Sequence, residues 1–203
     1  AQLNPHFLFN ALNTLYSEAL QQGQEKLSYL ISELSGILRF TLHQAQQDEV
    51  DLAEEITFLQ RYIHLQEARL PDNPQRRLDF QFNWDERPAR VAPLLLLPFV
   101  ENALVHGLLH KEGEKRLTIK FELREALICI VEDNGIGRER SKAIKERQRS
   151  EHESFSGKAI RKRFDILSDV FQGEFGYHYE DLMENGQASG TRITLTIPVK
   201  RNF

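Results

Sequence analysis

The sequence predicts an α+β protein in which three helices are followed by a mixed layer of strands and helices. Up to about residue 69, apolar residues recur at helical spacing. After prolines at 71 and 74, the pattern changes to the alternation typical of half-buried strands. The chain has 203 residues, of which 40% are hydrophobic and 28% charged, enough for a buried core. We therefore expect a boundary at about 70–77, which divides the chain into residues 1–74 and 75–203.

The first two helices are expected to form a hairpin. Helix one should run from Asn4 to Gln22, with Gly23 as its C-terminal cap, and helix two should return antiparallel to it after a short turn. Their apolar stripes are Leu8, Leu12, Leu15 and Ala19 in helix one, and Leu27, Leu30, Ile31, Leu34, Leu38 and Thr41 in helix two. Because so small a hairpin has too little core to be stable alone, we expect a homodimer in which two copies form a four-helix bundle.

The third helix and the strands follow from local patterns. Asp51 and Glu54 have the spacing of a capping box and predict a helix that ends near Arg69. Its inner face would carry Ile56, Leu59 and Ile63. The remaining predicted elements are strands over 78–82, 117–121 and 127–131, with a hairpin turn at 124–126, helices over 93–109 and 157–171, and strands over 175–179 and 191–198.

Composition excludes several classes of protein. The net charge of −4 argues against general nucleic-acid binding. The longest apolar run, residues 91–100, is interrupted by Pro93 and Pro98 and is too short to span a membrane. No secretion signal is visible, and the single Cys129 cannot form an internal disulfide, so we expect a cytoplasmic location. Because the chain starts at Ala1 without a methionine, we also expect it to be part of a longer protein.

A histidine lies next to a proline at the start of helix one. His6, Asn10 and Asn13 are spaced at i, i+4 and i+7, which places an imidazole and two amides on one helix face. By itself, this pattern is better explained by a solvated helix face behind an Asn4-Pro5 cap. The rest of the chain decides between the two interpretations.

Glu101 and Asn102 lie side by side in the predicted apolar helix, where unpaired polar groups are costly to bury. Hard oxygen ligands such as an amide carbonyl suit Mg²⁺ and leave its other positions to water and a nucleotide. The alternative interpretation is a helix edge that exposes Glu101 to water.

Asp133 follows directly on a buried strand and precedes two glycines, Gly135 and Gly137. A carboxylate at the end of a strand can accept a hydrogen bond from an exocyclic amine such as that of adenine. The glycines allow the backbone to turn closely past a ligand. The same residue types also form ordinary turns, so this motif gains its meaning from its order after Glu101 and Asn102.

Residues 138–157 are rich in charge and poor in apolar side chains, which predicts a mobile lid. The next helix opens with Gly157 and Lys158. A triphosphate would find positive charge and a helix N-terminus there. The alternative for any one of these basic residues is a solvated charged loop.

In this order and at these separations, the motifs resemble the cytoplasmic part of LytS/YehU-type sensor histidine kinases, whose ATP-binding half belongs to the GHKL ATPase group. The matching segments are residues 3–10 for the phosphoacceptor box, 98–107 for the N box, 133–137 for the G1 box, and 190–191 for the Gly-Thr pair that opens the last strand. The likeness covers nearly the whole chain. It implies a helical dimerisation and phosphoacceptor region over 1–74 and a two-layer α/β sandwich of the GHKL type over 75–203.

The resemblance also implies a role for each candidate residue. His6 would accept the γ-phosphoryl group of ATP, with Asn10 beside it on the same helix face. Glu101 would help position or polarise the reacting groups, Asn102 would hold Mg²⁺, and Asp133 would bind the adenine amine. The further nucleotide contacts would be Gly135, Gly137, Gly157, Lys158 and Thr191.

The function implied is ATP-dependent autophosphorylation of His6, after which the group passes to an aspartate of a response regulator. The expected cofactors are ATP and Mg²⁺, and the expected partners are a receiver domain and a second copy of the chain. The fragment itself would contact neither nucleic acid nor membrane, although the full-length protein would be anchored in the inner membrane. Two alternatives stay open: a catalytically weak scaffold that binds nucleotide, and a GHKL ATPase or serine kinase that uses the same pocket without a histidine acceptor.

Overall fold

A computed structural model describes residues 5–44, 47–68, 70, 78–147, 153–171 and 173–199. The helices are α1 (Pro5–Gln21), α2 (Glu25–Gln44), α3 (Leu52–Glu67), α4 (Leu97–Glu101), a π-helical segment (Asn102–Leu108), α5 (Arg138–Arg147) and α6 (Glu153–Phe171). The strands are β1 (Val50–Asp51), β2 (Leu78–Asn83), β3 (Arg90–Val91), β4 (Lys115–Leu123), β5 (Leu127–Asp133), β6 (Gly176–Glu184) and β7 (Gln187–Ile197). The α+β class and the order of helices before strands are confirmed.

The predicted helical hairpin is present. Helix α1 ends at a Schellman motif, in which the N–H of Gln24 donates to the carbonyl of Ala19 and the N–H of Gly23 donates to that of Leu20. Gly23 has φ +67°, the left-handed conformation that this motif requires. The helices pack through a small cluster formed by Leu12, Ala19 and Ile31, with Leu8, Leu34 and Leu38 packed against it. This cluster is separate from the large core of the molecule.

The large core joins α3 to the sheet. The predicted inner face of α3 is confirmed, since Ile56, Leu59 and Ile63 are all buried there. On the other side of α3, Phe58 stacks on Phe40 of α2 with ring centroids 4.6 Å apart. Helix α3 therefore contacts both the hairpin and the sheet-bearing part. The predicted domain boundary falls within residues 71–77, outside the described residues, and stays a prediction.

Five strands form one mixed sheet in the order β2-β4-β5-β7-β6. Strand β2 runs parallel to β4, and the other neighbouring pairs are antiparallel. Side chains alternate between the two faces, and on β5 the inward residues are Leu127, Cys129, Val131 and Asp133. The π-helical segment packs across β4, β5 and β7 on this face. Because of this alternation, the carboxylate of Asp133 lies on the face of the sheet that the π-helical segment covers.

The structure corrects the predicted end of the sheet. Asn185 and Gly186 have φ of 52° and 76° and join β6 to β7 as a two-residue hairpin turn. Both strands are longer than predicted, because they continue up to this turn. Gly190 and Thr191 accordingly lie inside β7 and do not open the last strand.

Three other predictions need correction or extension. Asp51 precedes α3 as its N-cap residue, but its side chain makes no capping hydrogen bond, so the capping box is wrong. The carboxylate instead accepts a bond of 3.1 Å from Arg90, and β1 pairs there with β3, a two-residue strand pair that was not predicted. The helix predicted from Pro93 begins at Leu97. The segment predicted as a mobile lid contains α5 and the start of α6, and its mobility stays a prediction.

Candidate functional site

The carboxylate of Asp133 is buried at the end of β5, with 5% of the residue exposed. Burial raises the pKa of this group to about 7, while hydrogen bonds from the backbone N–H groups of Gly135 and Thr191 act in the opposite direction. The Gly135 bond measures 2.7 Å. Thr191 lies directly opposite Asp133 in the register of β5 and β7. A buried carboxylate is costly, and the charge of Lys111 offsets only part of this cost for Asp133, so this position suggests a ligand-binding role.

Two glycines pack against this carboxylate. A Cβ atom on Gly135 would lie 2.6 Å from Oδ1 of Asp133 and 2.6 Å from the carbonyl carbon of Gly107. A Cβ atom on Gly107 would lie 3.0 Å from the same oxygen. The N–H of Ile136 also donates to the carbonyl of Gly107 at 3.3 Å. The loop after β5 and the π-helical segment therefore meet backbone to backbone around Asp133, which only glycine permits.

The other glycines of this region lie against β7. Gly137 has φ +76°, and a Cβ there would lie 2.7 Å from that of Ala188. Gly190 has φ +154°, and a Cβ there would lie 2.0 Å from the carbonyl oxygen of Asp133. The predicted glycines Gly135 and Gly137 are thus needed for close packing of the loop itself, whether or not a ligand is bound.

The helix that carries Asn102 changes from α- to π-helical geometry at that residue. The N–H of Leu109 donates to the carbonyl of Leu104 at 2.8 Å, an i→i+5 bond. This spacing places Gly107, which touches Asp133, about one turn after Asn102. Asn102 is half-buried, whereas Glu101 is exposed at the end of α4. The π-helical segment therefore brings the predicted Asn102 and Asp133 regions together through one element.

Asn102 is held by a residue that the sequence analysis missed. Burial raises the pKa of Tyr179, and a hydrogen bond from the side chain of Asn102 acts in the opposite direction. Asn102 and Tyr179 are therefore hydrogen-bond partners, and the amide of Asn102 also carries a carbonyl oxygen. That oxygen is of the hard type that Mg²⁺ prefers.

Tyr179 in turn belongs to a chain of charged contacts at the start of α5. The guanidinium of Arg138 lies over the Tyr179 ring, 5.0 Å from its centroid. Arg138 also makes two hydrogen bonds of 2.7 Å to Asp181. The residue that follows the G1 box is thereby fixed to β6, and β6 carries the tyrosine that binds Asn102.

Asn134, inside the same motif, has a structural role. Its Oδ1 accepts the N–H of Arg116 at 2.7 Å, and its Nδ2 donates to the carbonyl of Glu114 at 3.3 Å. Lys111 donates to its backbone carbonyl at 2.5 Å. These bonds attach the loop after β5 to the beginning of β4, which explains why an asparagine suits this position.

The predicted phosphoacceptor lies at the other end of the chain. His6 is exposed in the first turn of α1, and Nδ2 of Asn10 lies 3.3 Å from its Nδ1 atom. The helical spacing of this pair is confirmed, whereas residues 3 and 4 of the same box lie outside the described residues. The neighbouring Phe7 is 70% exposed. Helix α1 packs in the separate hairpin cluster and not in the large core. The large core therefore does not connect His6 with the Asp133 region.

Gly157 and Lys158 lie in the backbone of the first turns of α6, four and five residues after its start at Glu153. Their side-chain environment lies outside the described part of the structure. Within the described ranges, no three His, Cys, Asp or Glu side chains are grouped as a metal site would need. Nor does any helix in the described part combine the length and apolarity needed to cross a bilayer.

Comparison with known proteins identifies relatives along nearly the whole chain. A family model described as histidine kinase matches residues 1–74. Sensor protein LytS of Staphylococcus saprophyticus is 32% identical over 202 residues, which cover 98% of this chain and 32% of the relative. Sensor protein LytS of Bacillus cereus is 32% identical over 204 residues, which cover 98% of this chain and 33% of the relative. Sensor protein kinase HptS of Staphylococcus aureus is 29% identical over 203 residues, which cover 98% of this chain and 37% of the relative.

A solved structure agrees on the fold. The mycobacterial sensor histidine kinase MprB matches with a TM-score of 0.50 and 18% identity, over 75% of this chain and 97% of that one. The chain spans about a third of the length of the curated relatives it matches. The matches to these relatives cover 98% of the chain. The chain therefore belongs to the LytS-type sensor histidine kinases.

Proposed function

We propose that this chain is the phosphoacceptor and ATP-binding part of a sensor histidine kinase that transfers the γ-phosphoryl group of ATP to His6 and then to an aspartate of a response regulator. Residues 1–74 would supply the acceptor and the dimer contact, and residues 75–203 the nucleotide site. The single observation that carries the proposal is the buried Asp133 carboxylate, which lies against Gly135 and against Gly107, the residue about one helical turn after Asn102. In the whole protein, we place this part on the cytoplasmic side of a membrane-anchored sensor.

Asp133 would recognise the adenine base. Its carboxylate is an acceptor of hydrogen bonds, and the exocyclic amine of adenine is a donor of matching type. Gly107 and Gly135 leave no side chain between the carboxylate and an approaching flat ring. Thr191, opposite Asp133 in the sheet, supports the carboxylate through its backbone N–H.

Asn102 would hold Mg²⁺ through its carbonyl oxygen, and bound Mg²⁺ would neutralise phosphate charge. Tyr179 makes a hydrogen bond with this amide, and the exposed Glu101 lies beside Asn102 to position or polarise the reacting groups. Gly157 and Lys158 lie near the N-terminus of α6, where backbone N–H groups and a lysine favour phosphate. Together these residues would direct the terminal phosphate out of the cleft.

His6 would act as the nucleophile. A neutral imidazole nitrogen would attack the γ-phosphorus, the bond to the β-phosphate oxygen would break, ADP would leave, and the ring proton would pass to water or to Glu101. Asn10 contacts the ring and would orient it. Because α1 belongs to a separate cluster, the hairpin and the nucleotide site must approach each other for transfer, within one chain or across a dimer.

The His6→Gln variant is expected to abolish acid-labile, base-stable labelling by γ-labelled ATP while leaving nucleotide affinity within about twofold of the wild type, since residue 6 lies outside the nucleotide site. His43→Gln is the matched control, because His43 is another exposed histidine on the same hairpin. Labelling and affinity should both survive in that control.

The outcomes of this experiment separate the alternatives. Nucleotide binding without any label in the wild type would favour the catalytically weak scaffold. Phosphate release that survives His6→Gln but is lost in Asp133→Asn would favour a GHKL ATPase or serine kinase. Label that persists in His6→Gln would contradict the assignment of the acceptor.

A dimer is proposed from the apolar surface of the hairpin. Its exposed apolar side chains are Phe7, Leu15, Tyr16, Leu20, Leu27, Tyr29 and Leu42. So much apolar surface on one hairpin is typical of a protein interface. The double variant Leu15→Glu/Leu20→Glu is expected to convert the dimer to a monomer in sedimentation, because it would bury carboxylates in the bundle. Met183→Glu, which alters an equally exposed apolar residue on β6, should leave the dimer intact.

A further inference from the structure

One buried and one half-buried charged side chain hold the loop that leads into α4. This loop, residues 93–96, connects the end of β3 with the helix that continues into the π-helical segment. Glu55 reaches it from α3, and Arg163 reaches it from α6. We call the two side chains, together with the backbone of the 93–96 loop, the loop clamp.

Glu55 provides the acceptor half of the loop clamp. It is fully buried, and its two carboxylate oxygens accept the N–H groups of Leu94 at 2.9 Å and Leu96 at 3.3 Å. Burial raises the pKa of Glu55 to about 7, whereas these N–H groups and the charge of Arg163 act in the opposite direction. A group that costs this much to bury is retained where it organises backbone that has no other partner.

Arg163 provides the donor half. Its guanidinium donates to the carbonyl of Leu94 at 3.0 Å and to that of Pro93. The N–H and C=O groups of Leu94 are therefore held by opposite charges from two different helices. Leu94 has φ +56°, a left-handed conformation that is unfavourable for any residue with a branched side chain. The loop keeps this conformation because both charged side chains hold it in place.

The loop clamp lies between the hairpin and the nucleotide site. Helix α2 stacks on α3 through Phe40 and Phe58, and Glu55 is one turn before Phe58 on α3. On the other side, the 93–96 loop is followed directly by α4 and then by Asn102. A displacement of α3 relative to the sheet would therefore move the start of the helix that carries Asn102 and Gly107.

We propose that Glu55 is a positioning residue for the nucleotide site, which acts with Arg163 by holding the 93–96 loop and, through it, the helix that carries Asn102. This inference rests on the proposed function, because it assumes that the site binds nucleotide. It assigns no chemical step to Glu55. According to this proposal, the hairpin affects nucleotide affinity through the contact between α3 and the 93–96 loop.

The test measures the Kd for ATP with Mg²⁺ in the full 203-residue chain. Glu55→Gln and Arg163→Gln should each weaken binding about tenfold, and the double variant should be no weaker than roughly the poorer single variant, because both act on one loop. Glu54→Gln is the matched control. Glu54 lies in the same turn but is exposed and accepts a bond from Gln44, so its variant should bind like the wild type.

Melting temperatures separate positioning from simple stability. A purely structural role would lower the melting temperature of Glu55→Gln but leave the Kd unchanged at a temperature where the variant is folded, and that result would overturn the inference. Additive losses in the double variant would overturn it too. If the wild type itself fails to bind, or if Asp133→Asn binds as well as the wild type, the proposed function fails instead.

A second measurement covers the case in which Glu55→Gln does not fold. In the wild type, the amides of Leu94 and Leu96 should exchange with deuterium more slowly after ATP and Mg²⁺ are added, because a filled site would tighten the loop that supports it. If the exchange rates of these two amides are the same with and without nucleotide, the proposal is contradicted.

Discussion

Ionisation of Asp133 is expected to lower the stability of the wild type by roughly 4 kcal/mol as the pH rises from about 4 to 8, and the Asp133→Asn variant should remove this contribution. The pKa of Asp133 is raised from 3.8 to about 7 in the folded protein, chiefly by burial. Between these values the folded state binds a proton that the unfolded state has lost, so unfolding becomes easier as the pH rises. A pKa that differs by one between the folded and unfolded states changes the free energy of unfolding by about 1.4 kcal/mol.

The measurement is chemical unfolding of both proteins across this pH range. Glu55 also has a pKa raised by burial, but it is present in both proteins and its contribution cancels in the difference. Above pH 7 the difference in unfolding free energy should be constant, and between pH 4 and 7 it should change steadily in favour of the variant. A difference that does not vary with pH would show that the carboxylate is ionised at no cost.

The same variant should lose nucleotide affinity by about 10- to 100-fold, since the donors that hold residue 133 would orient the new amide wrongly. The carboxylate of Asp133 accepts the N–H groups of Gly135 and Thr191, whereas asparagine has a single oxygen, so its NH₂ group would face either one of these N–H groups or the adenine amine. When two hydrogen-bond donors face each other without an acceptor, the cost is about 1–3 kcal/mol. The substitution would thus make the ligand-free protein more stable at neutral pH and less able to bind ATP.

Gly190→Ala is expected to destabilise the protein by at least about 3 kcal/mol, enough to unfold much of it at 37 °C. The new Cβ would lie 2.0 Å from the backbone oxygen of Asp133, and φ at this position is +154°. Neither backbone can retreat easily, because β5 and β7 are hydrogen bonded in the middle of the sheet. Thermal unfolding monitored by circular dichroism would report the loss.

Gly176→Ala is the control for that measurement. Gly176 lies on β6, one strand from Gly190, and a Cβ atom there would meet nothing within 4 Å. Alanine at 176 should leave the melting temperature near that of the wild type. A mild effect of Gly190→Ala, comparable to the control, would mean that the β5–β7 pair can separate locally at little cost.

Much of the fold was predictable because it depends on local patterns. The stripes of α1 and α2 have the helical period over more than four turns each, and the strands around 117–131 alternate cleanly. What was missed is short or non-local. A pair of two-residue strands such as β1 and β3 carries no period, and Asp51 prefers Arg90, which is 39 residues away, to its own helix.

The candidate site shows the same division. Asp133 could be identified because it continues the inward alternation of β5, a position where an acidic residue needs an explanation. The close contact at Gly107 could also have been predicted, because glycine inside an apolar helix is unfavourable unless another backbone approaches it. No local sequence pattern indicated the contacts of Tyr179 and Arg138 near the site. Their connection to Asn102 depends on the pairing of β6 with β7, which brings distant segments together.

The parallel pairing of β2 with β4 restrains the segment that packs over Asp133. Because parallel neighbours need a crossover connection, residues 84–114 are anchored at both ends in adjacent strands of one sheet. The helix bearing Asn102 is part of that crossover, so the chain on both sides of it leads back into neighbouring strands. Helix α5, by contrast, is joined to β6 by the exposed Arg138–Asp181 ion pair, which can open while every strand stays in place.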